Sequence, residues 1–76
     1  MVGLDLEKAP KKTKLEIVSI KELKLSEDAL RFGIEPGEYV QIVHKLPSGP
    51  VVIQKNQTQV AIGQELAKAI EVKVIN

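Results

Sequence analysis

Residues 29–40 contain, in order, a helix stop, a tight turn and the start of a strand. Glycine adopts a positive φ at little steric cost, so Gly33, which follows an apolar and helical stretch, is predicted to end the helix. Pro36 and Gly37 suit the two central positions of a type II turn, the second of which needs φ > 0. The residues after the turn are β-branched and aromatic, as is typical of a strand. The stretch therefore requires a short helix that passes directly into a sheet.

Five short apolar segments predict strands. Alternation in the first is broken at Ile17 and Val18, which indicates a bend or apolar cover on both faces. In the last, Ile70, Val72 and Val74 alternate cleanly and are predicted to point inward. The predicted strands cover residues 15–21, 39–46, 51–54, 58–62 and 70–74. Short strands joined by tight turns favour an all-β fold, a small closed or nearly closed barrel with one or two short helices.

Two helices are predicted between these strands. Ser26 is followed by two carboxylates, a pattern typical of a helix start, and predicts a helix over residues 27–32. Leu30 is expected to be its main core contact, and capping explains the carboxylates better than acid–base chemistry does. A single helical turn is predicted over residues 64–69. Asn56 tolerates a left-handed backbone and is placed in a hairpin turn between two strands.

The composition excludes several classes of protein. The 76 residues include no cysteine, which rules out disulfide frameworks and thiolate metal sites. Eleven basic residues nearly balance ten acidic ones, and one Phe, one Tyr and no Trp leave little for base stacking, so we expect no nucleic-acid binding. No apolar run is long enough to cross a bilayer, and residues 1–7 lack a signal-peptide pattern. We expect a cytoplasmic protein that is not inserted into a membrane.

One domain is expected over residues 1–76, with an arm and basic connector over 1–14 and a barrel over 15–76. The arm contains Leu4 and Leu6, and is predicted to pair as a short edge strand or to pack as a flap. The connector holds four lysines and Pro10. Such a segment suits an acidic partner or an anionic surface, but lysine and proline also protect a sheet edge from aggregation. We favour a solvated loop.

His44 is the single histidine and the candidate metal ligand, together with a carboxylate such as Glu38 or with a second chain. It is predicted to share one face of its strand with Val40, Ile42 and Leu46. Divalent transition metals usually take three or four protein ligands, so a lone histidine is more often structural or exposed. Fe²⁺ or Zn²⁺ would therefore bind weakly. No serine is paired with a base and no glycine-rich phosphate loop is present, so we expect no enzymatic activity.

Three segments together resemble one known family. Residues 30–40 are similar to the motif Leu-x-x-Gly-Ile-x-Pro-Gly-x-x-Val of the ferrous iron transport protein A (FeoA) family, which also occurs in the C-terminal domain of diphtheria-toxin-repressor-type iron regulators. Residues 47–51 resemble the family's Pro-x-Gly-Gly/Asp-Pro-Val loop and strand. Residues 61–72 resemble its closing pattern, a short helical turn that leads into the last strand. The three motifs occur in the expected order, and the match as a whole runs from about residue 15 to residue 74.

The resemblance implies a small, partly closed SH3-like barrel of about five strands. It also implies a non-catalytic, cytosolic accessory protein of bacterial ferrous iron transport that contacts the membrane GTPase transporter (B component), with transition metal ion binding at the level of the family. The alternative is a stand-alone metal-responsive domain like that of the repressors. Loops on a rigid barrel suit recognition. The candidate partner-binding residues are Arg31, Leu46, Pro47, Ser48, Gly49 and Pro50. Self-association through edge strands is compatible with the pattern.

Overall fold

Six strands and two short helices make up the fold in the computed structural model, which describes residues 4–75. The elements are β1 Leu4–Asp5, β2 Lys14–Ile20, α1 Leu23–Arg31, β3 Tyr39–Lys45, β4 Val51–Lys55, β5 Thr58–Ile62, α2 Gln64–Ala69 and β6 Ile70–Val74. All neighbouring strands are antiparallel, in the order β1-β6-β2-β3-β4-β5. The sheet curves without closing through hydrogen bonds, which confirms the partly closed SH3-like barrel. The structure has one strand more than the five predicted from the sequence pattern, and this sixth strand is β1.

Two bulges produce the curvature. The β2–β6 register shifts between Ile17 and Ser19, so Val18 is the extra residue, and the predicted bend is confirmed. The β3–β4 register shifts between Ile42 and His44. His44 was predicted to share one face of β3 with Val40 and Ile42. That prediction is wrong, because strict alternation of side chains fails at the residue inserted by the second bulge. Val40 and Ile42 are buried, whereas His44 is exposed.

The core is entirely aliphatic in the part of the chain that the structure describes. No polar or charged side chain between residues 4 and 75 is buried. Leu6 and Ala9 belong to this core although they precede the barrel predicted from pattern, and β1 pairs with β6 as the edge-strand interpretation of the arm requires. Residues 1–3 of that arm lie outside the described residues. The largest fully buried side chains are Leu6, Leu15, Ile17, Ile34, Ile42, Val51, Ile53, Ile62, Ile70 and Val72.

The predicted start of α1 is wrong. The helix begins at Leu23, three residues before Ser26, and its N-cap Glu22 has φ of 70° and makes no side-chain capping bond. Ser26 instead donates its backbone N–H to Glu22 O at 3.0 Å, as an interior helical residue does. Leu30 is 57% exposed while Ala29 is fully buried. Consecutive helical residues differ by about 100° in direction, so the face that holds Ala29 against the sheet turns Leu30 to solvent.

The predicted end of α1 is confirmed. Gly33 has φ of +75° and donates its N–H to Leu30 O at 2.9 Å, and the N–H of Ile34 reaches Ala29 O at 3.0 Å. These two bonds, with the buried contact of Ile34, are those of a Schellman motif. Gly37 has φ of +94°, and Glu38 donates its N–H to Glu35 O at 3.1 Å, as in the predicted type II turn. The chain therefore enters β3 in a fixed direction.

Candidate functional site

Residues 46–50, hereafter the Pro-Gly loop, project from the sheet between β3 and β4. Backbone bonds fix its shape: Gly49 donates to Leu46 O at 2.9 Å, and Leu46 donates to Pro50 O at 3.2 Å. Ser48 is one of the two central residues of the turn closed by the Gly49 bond, and it adopts φ of 55°. Leu46 remains 43% exposed. The loop thus presents an apolar side chain on a rigid backbone.

Gln64, in the first turn of α2, holds the Pro-Gly loop in place. Its Nε2 donates to Gly49 O at 2.9 Å in a partly buried hydrogen bond. Beside this bond lies a groove of ≈ 270 Å³. The groove is lined by Glu7, Lys45, Leu46, Pro47, Ser48, Val51 and Gln64. Three of the predicted partner-binding residues therefore share one concave surface with α2.

Arg31 lies in a second groove, of ≈ 390 Å³, between α1 and the start of α2. Its guanidinium Nη1 is 3.5 Å from Asp28 Oδ1, but the side chain is 79% exposed, so this pair contributes little to stability. Phe32, half exposed, forms an apolar part of the wall. The groove is lined by Leu25, Asp28, Arg31, Phe32, Gly63, Glu65 and Leu66.

The first turn of α2 joins the two grooves. Gly63 and Glu65 line the groove of Arg31, and Gln64 lines that of the Pro-Gly loop. Arg31 and the loop, distant in sequence, thus lie on either side of three consecutive residues. The name docking surface is used below for the candidate partner-binding residues of these two grooves, which are Arg31, Phe32, Leu46, Pro47, Ser48, Gln64 and Glu65. This surface brings together the predicted Arg31 and the exposed part of the predicted loop.

Sequence reasoning missed Gln64, although a signal was available. A two-residue turn at Asn56 and Gln57 pairs Lys55 with Thr58, and counting outward pairs Val51 with Ile62. Continuing this register by two more residues along each strand places Gly49 opposite Gln64, and these two residues are joined by the hydrogen bond. Phe32 and Leu66 gave no comparable signal, because apolar residues beside a sheet are usually buried.

His44 lies apart from other metal-ligating side chains. It is exposed on β3, six residues from Glu38, a separation of roughly 20 Å along an extended strand. Glu38 is occupied by Lys55, whose Nζ lies 3.0 Å from Oε1. Among residues 4–75, no three His, Cys, Asp or Glu side chains form a group that could hold a metal ion. The described residues therefore do not fit a resident metal within one chain.

A family model for the FeoA domain matches residues 4–74, nearly the whole of the described chain. The chain belongs to the FeoA domain family. A crystal structure of an iron uptake regulatory protein (FeoA) is 26% identical, with a TM-score of 0.88 over 99% of this chain and 100% of that one. The FeoA-like protein of Clostridium acetobutylicum is 24% identical, with a TM-score of 0.86 over 100% of this chain and 91% of that one. A comparison with curated protein sequences gives no match.

The FeoA domain also shares its fold with part of a metal-dependent repressor. ScaR with bound Zn²⁺ is 20% identical, with a TM-score of 0.86 over 97% of this chain. This FeoA domain corresponds to 38% of the ScaR chain, so the likeness concerns one segment of that repressor. Neither helix between residues 4 and 75 has the length and apolar character needed to span a bilayer.

Proposed function

We propose that this FeoA domain is a non-catalytic accessory protein of ferrous iron transport that acts in the cytoplasm by docking on the membrane GTPase transporter, the B component. Residues 1–76 act as one module in this proposal. The observation that supports it is a pair of open grooves lined by three consecutive residues at the start of α2, Gln64 in one and Gly63 and Glu65 in the other. Membership of the FeoA family supplies the iron-transport context.

The docking surface has the composition of a small, reversible interface. Leu46 and Phe32, each about half exposed, offer apolar anchors. Arg31 and Glu65 supply charge of both signs around them. Interface energy concentrates in a few aromatic, apolar and arginine anchors surrounded by polar groups. The surface therefore suits a transient contact with another protein better than the binding of a small molecule.

The test is a binding titration of the purified chain against the cytosolic GTPase domain of the transporter, in the GDP-bound state and with a GTP analogue. Leu46→Ser and Arg31→Gln are each expected to weaken binding about tenfold, as loss of a central anchor does. Leu23→Ser and Lys24→Gln are matched controls, because they remove an exposed leucine and an exposed cation at the other end of α1. The controls should bind as the wild type does.

Two outcomes would contradict the proposal. Absence of binding in both nucleotide states would show that the GTPase domain is not the partner. Equal weakening by the control pair and the test pair would show that the contact does not involve the docking surface.

A second candidate is a stand-alone metal-responsive regulatory domain, favoured by the fold shared with ScaR. Since the described residues offer no three-ligand group, such a domain would need His44 to bind metal jointly with a second chain. Ligand binding to the folded state raises the midpoint of thermal unfolding. A rise with Fe²⁺, Mn²⁺ or Zn²⁺ that His44→Ala abolishes would support this candidate, and the docking proposal expects no such rise.

A further inference from the structure

Four lysines project from one anchored segment, residues 8–14, hereafter the basic loop. They are Lys8, Lys11, Lys12 and Lys14, and all four are exposed. We propose that the basic loop binds the anionic headgroups of a lipid bilayer and holds the protein reversibly at the membrane surface. This inference does not depend on the proposed contact with the transporter.

The basic loop is built into the fold at both ends. Leu6 and Ala9 are fully buried on one side. On the other, Lys12 donates its N–H to Ile42 O at 2.9 Å, and its backbone is held at φ of 60°. Thr13 Oγ1 donates to Lys11 O at 3.2 Å. The backbone that carries the ammonium groups is therefore ordered before any ligand arrives, which lowers the entropy lost on binding.

The charge of the basic loop is only partly offset by its neighbours, since Asp5 Oδ1 accepts the backbone N–H of Lys8 at 2.9 Å. Within residues 4–75, none of its four ammonium groups lies in an ion pair, whereas Lys55 and Lys73 each contact a carboxylate. The loop contains no acidic residue, while the rest of the chain carries seven basic and ten acidic side chains. A near-neutral protein thus has one segment of net positive charge and a remainder of net negative charge, which favours orientations with the basic loop toward an anionic surface.

The surface next to Lys14 adds an aromatic ring and neutral polar side chains, although Glu16 lies opposite Tyr39 in the β2–β3 pairing. Lys14 Nζ lies 4.8 Å from the centroid of the Tyr39 ring, which is half exposed. The shallow groove around this pair is lined by Lys14, Tyr39, Val40, Gln41, Gln54 and Asn56. Tyrosine is favoured at the headgroup level of membranes, and neutral polar side chains cost little there. The lysines and Tyr39 therefore match an anionic lipid surface in charge and in polarity.

The expected affinity is modest. Each lysine near an anionic bilayer raises the binding constant about fivefold, so four give an apparent constant of roughly 10³ M⁻¹. About half of the protein would then bind at an accessible anionic lipid concentration of about 1 mM at low salt. Because exposed charges are screened over about 8 Å at physiological ionic strength, binding should decrease steeply as salt is added.

The experiment is co-sedimentation of the full chain with vesicles of phosphatidylcholine alone, or with about 30% phosphatidylglycerol, at low and at high salt. Lys11→Gln combined with Lys12→Gln removes two exposed cations while the backbone bond of Lys12 remains. We expect the double variant to bind anionic vesicles about 25-fold more weakly. The matched control is Lys21→Gln combined with Lys24→Gln, two exposed lysines roughly 20 Å away beyond the other end of β2. The control should lose less than about twofold.

Four outcomes would overturn the inference. The wild type could fail to sediment with anionic vesicles at low salt, or could sediment equally with neutral ones. The control could lose as much binding as the basic-loop variant, which would indicate net charge alone. Finally, vesicle binding could be absent while Lys11→Gln with Lys12→Gln weakens binding to the GTPase domain without lipid, which would assign the basic loop to an acidic protein instead. Circular dichroism of both variants shows whether they remain folded.

Discussion

Two glycine- and proline-containing turns of the same molecule have different roles. The helix-stop turn, residues 33–38, lies between α1 and β3, and the Pro-Gly loop lies between β3 and β4. The first buries Ile34 completely, whereas the second leaves Leu46 exposed. The turn residues alone do not distinguish them. What distinguishes them is whether the side chains beside the turn are covered by the rest of the fold.

The helix-stop turn is tied to two strands. Gly37 donates its N–H to Ile17 O of β2 at 2.8 Å. Lys55 of β4 donates from Nζ to Gly33 O at 2.5 Å and also lies 3.0 Å from Glu38 Oε1. The Pro-Gly loop has one side-chain attachment to another element among the described residues, the bond from Gln64. We therefore expect substitutions in the first turn to change stability and those in the second to change binding.

Ile34→Ala should have the largest effect on stability. Ile34 is fully buried in the core, and removal of a buried isoleucine to alanine costs about 2–5 kcal/mol in the free energy of unfolding. Leu46→Ala, its counterpart in the Pro-Gly loop, should cost less than about 1 kcal/mol because the side chain is largely in water. Urea denaturation measures both values. Equal losses would contradict the distinction between the two turns.

Lys55→Met should have the second-largest effect. The substitution removes the donor to Gly33 O and the partner of Glu38, and the Lys55 side chain is only 22% exposed. Loss of a partly buried, charge-assisted hydrogen bond costs about 1–3 kcal/mol. Lys45→Met, beside the Pro-Gly loop, is the control, since Lys45 makes no ion pair or side-chain hydrogen bond within residues 4–75. Chemical denaturation of the pair should show the loss for Lys55 alone.

Gly33→Ala is expected to cost about 1–2 kcal/mol, because an alanine is disfavoured in the left-handed region. The new Cβ would also stand 3.0 Å from Lys55 Nζ. Gly63→Ala is the matched control, since Gly63 has φ of −63° and no atom within 4 Å of the built Cβ. That control should lose less stability than Gly33→Ala, because Gly63 is the N-cap of α2 and only the N-cap preference for glycine over alanine is lost. Equal losses for the two variants, or an unaffected Gly33→Ala, would show that the backbone argument does not apply.

Local rules predicted the helix-stop turn, the hairpin at Asn56 and the inward face of β6. In each case the deciding interaction is short in sequence: a positive φ, a two-residue turn or strict alternation. The start of α1 could not be predicted this way. Glu22 adopts φ of 70° without a capping bond, so the helix begins where tertiary contacts permit, and the capping pattern at Ser26 is not used.

The docking surface was only half predictable for the same reason. Arg31 and the Pro-Gly loop were proposed from the sequence because loops on a rigid barrel suit recognition. Their position relative to each other depends on how α2 packs beside α1. The exposure of Phe32 and the burial of Leu6 and Ala9 likewise depend on how the arm and helices cover the open side of the sheet. Periodicity within one element carries no information on which neighbour covers it.

Gln64→Ala should have the smallest effect on stability and the most local one. Loss of one neutral hydrogen bond to Gly49 O costs about 0.5–1.5 kcal/mol. Because this bond anchors the Pro-Gly loop, hydrogen exchange at the Gly49 amide, which donates to Leu46 O, should speed up more than exchange in the strands.

Gln57→Ala is the control for this prediction, since Gln57 is exposed in the β4–β5 turn, at the other end of β4 from the Pro-Gly loop. If Gln64→Ala destabilises the whole protein as much as Lys55→Met does, the Pro-Gly loop is a structural turn like the helix-stop turn. If instead the loop alone becomes mobile and binding to the GTPase domain weakens, rigidity of the loop is part of recognition, because an unanchored loop must be ordered again on docking.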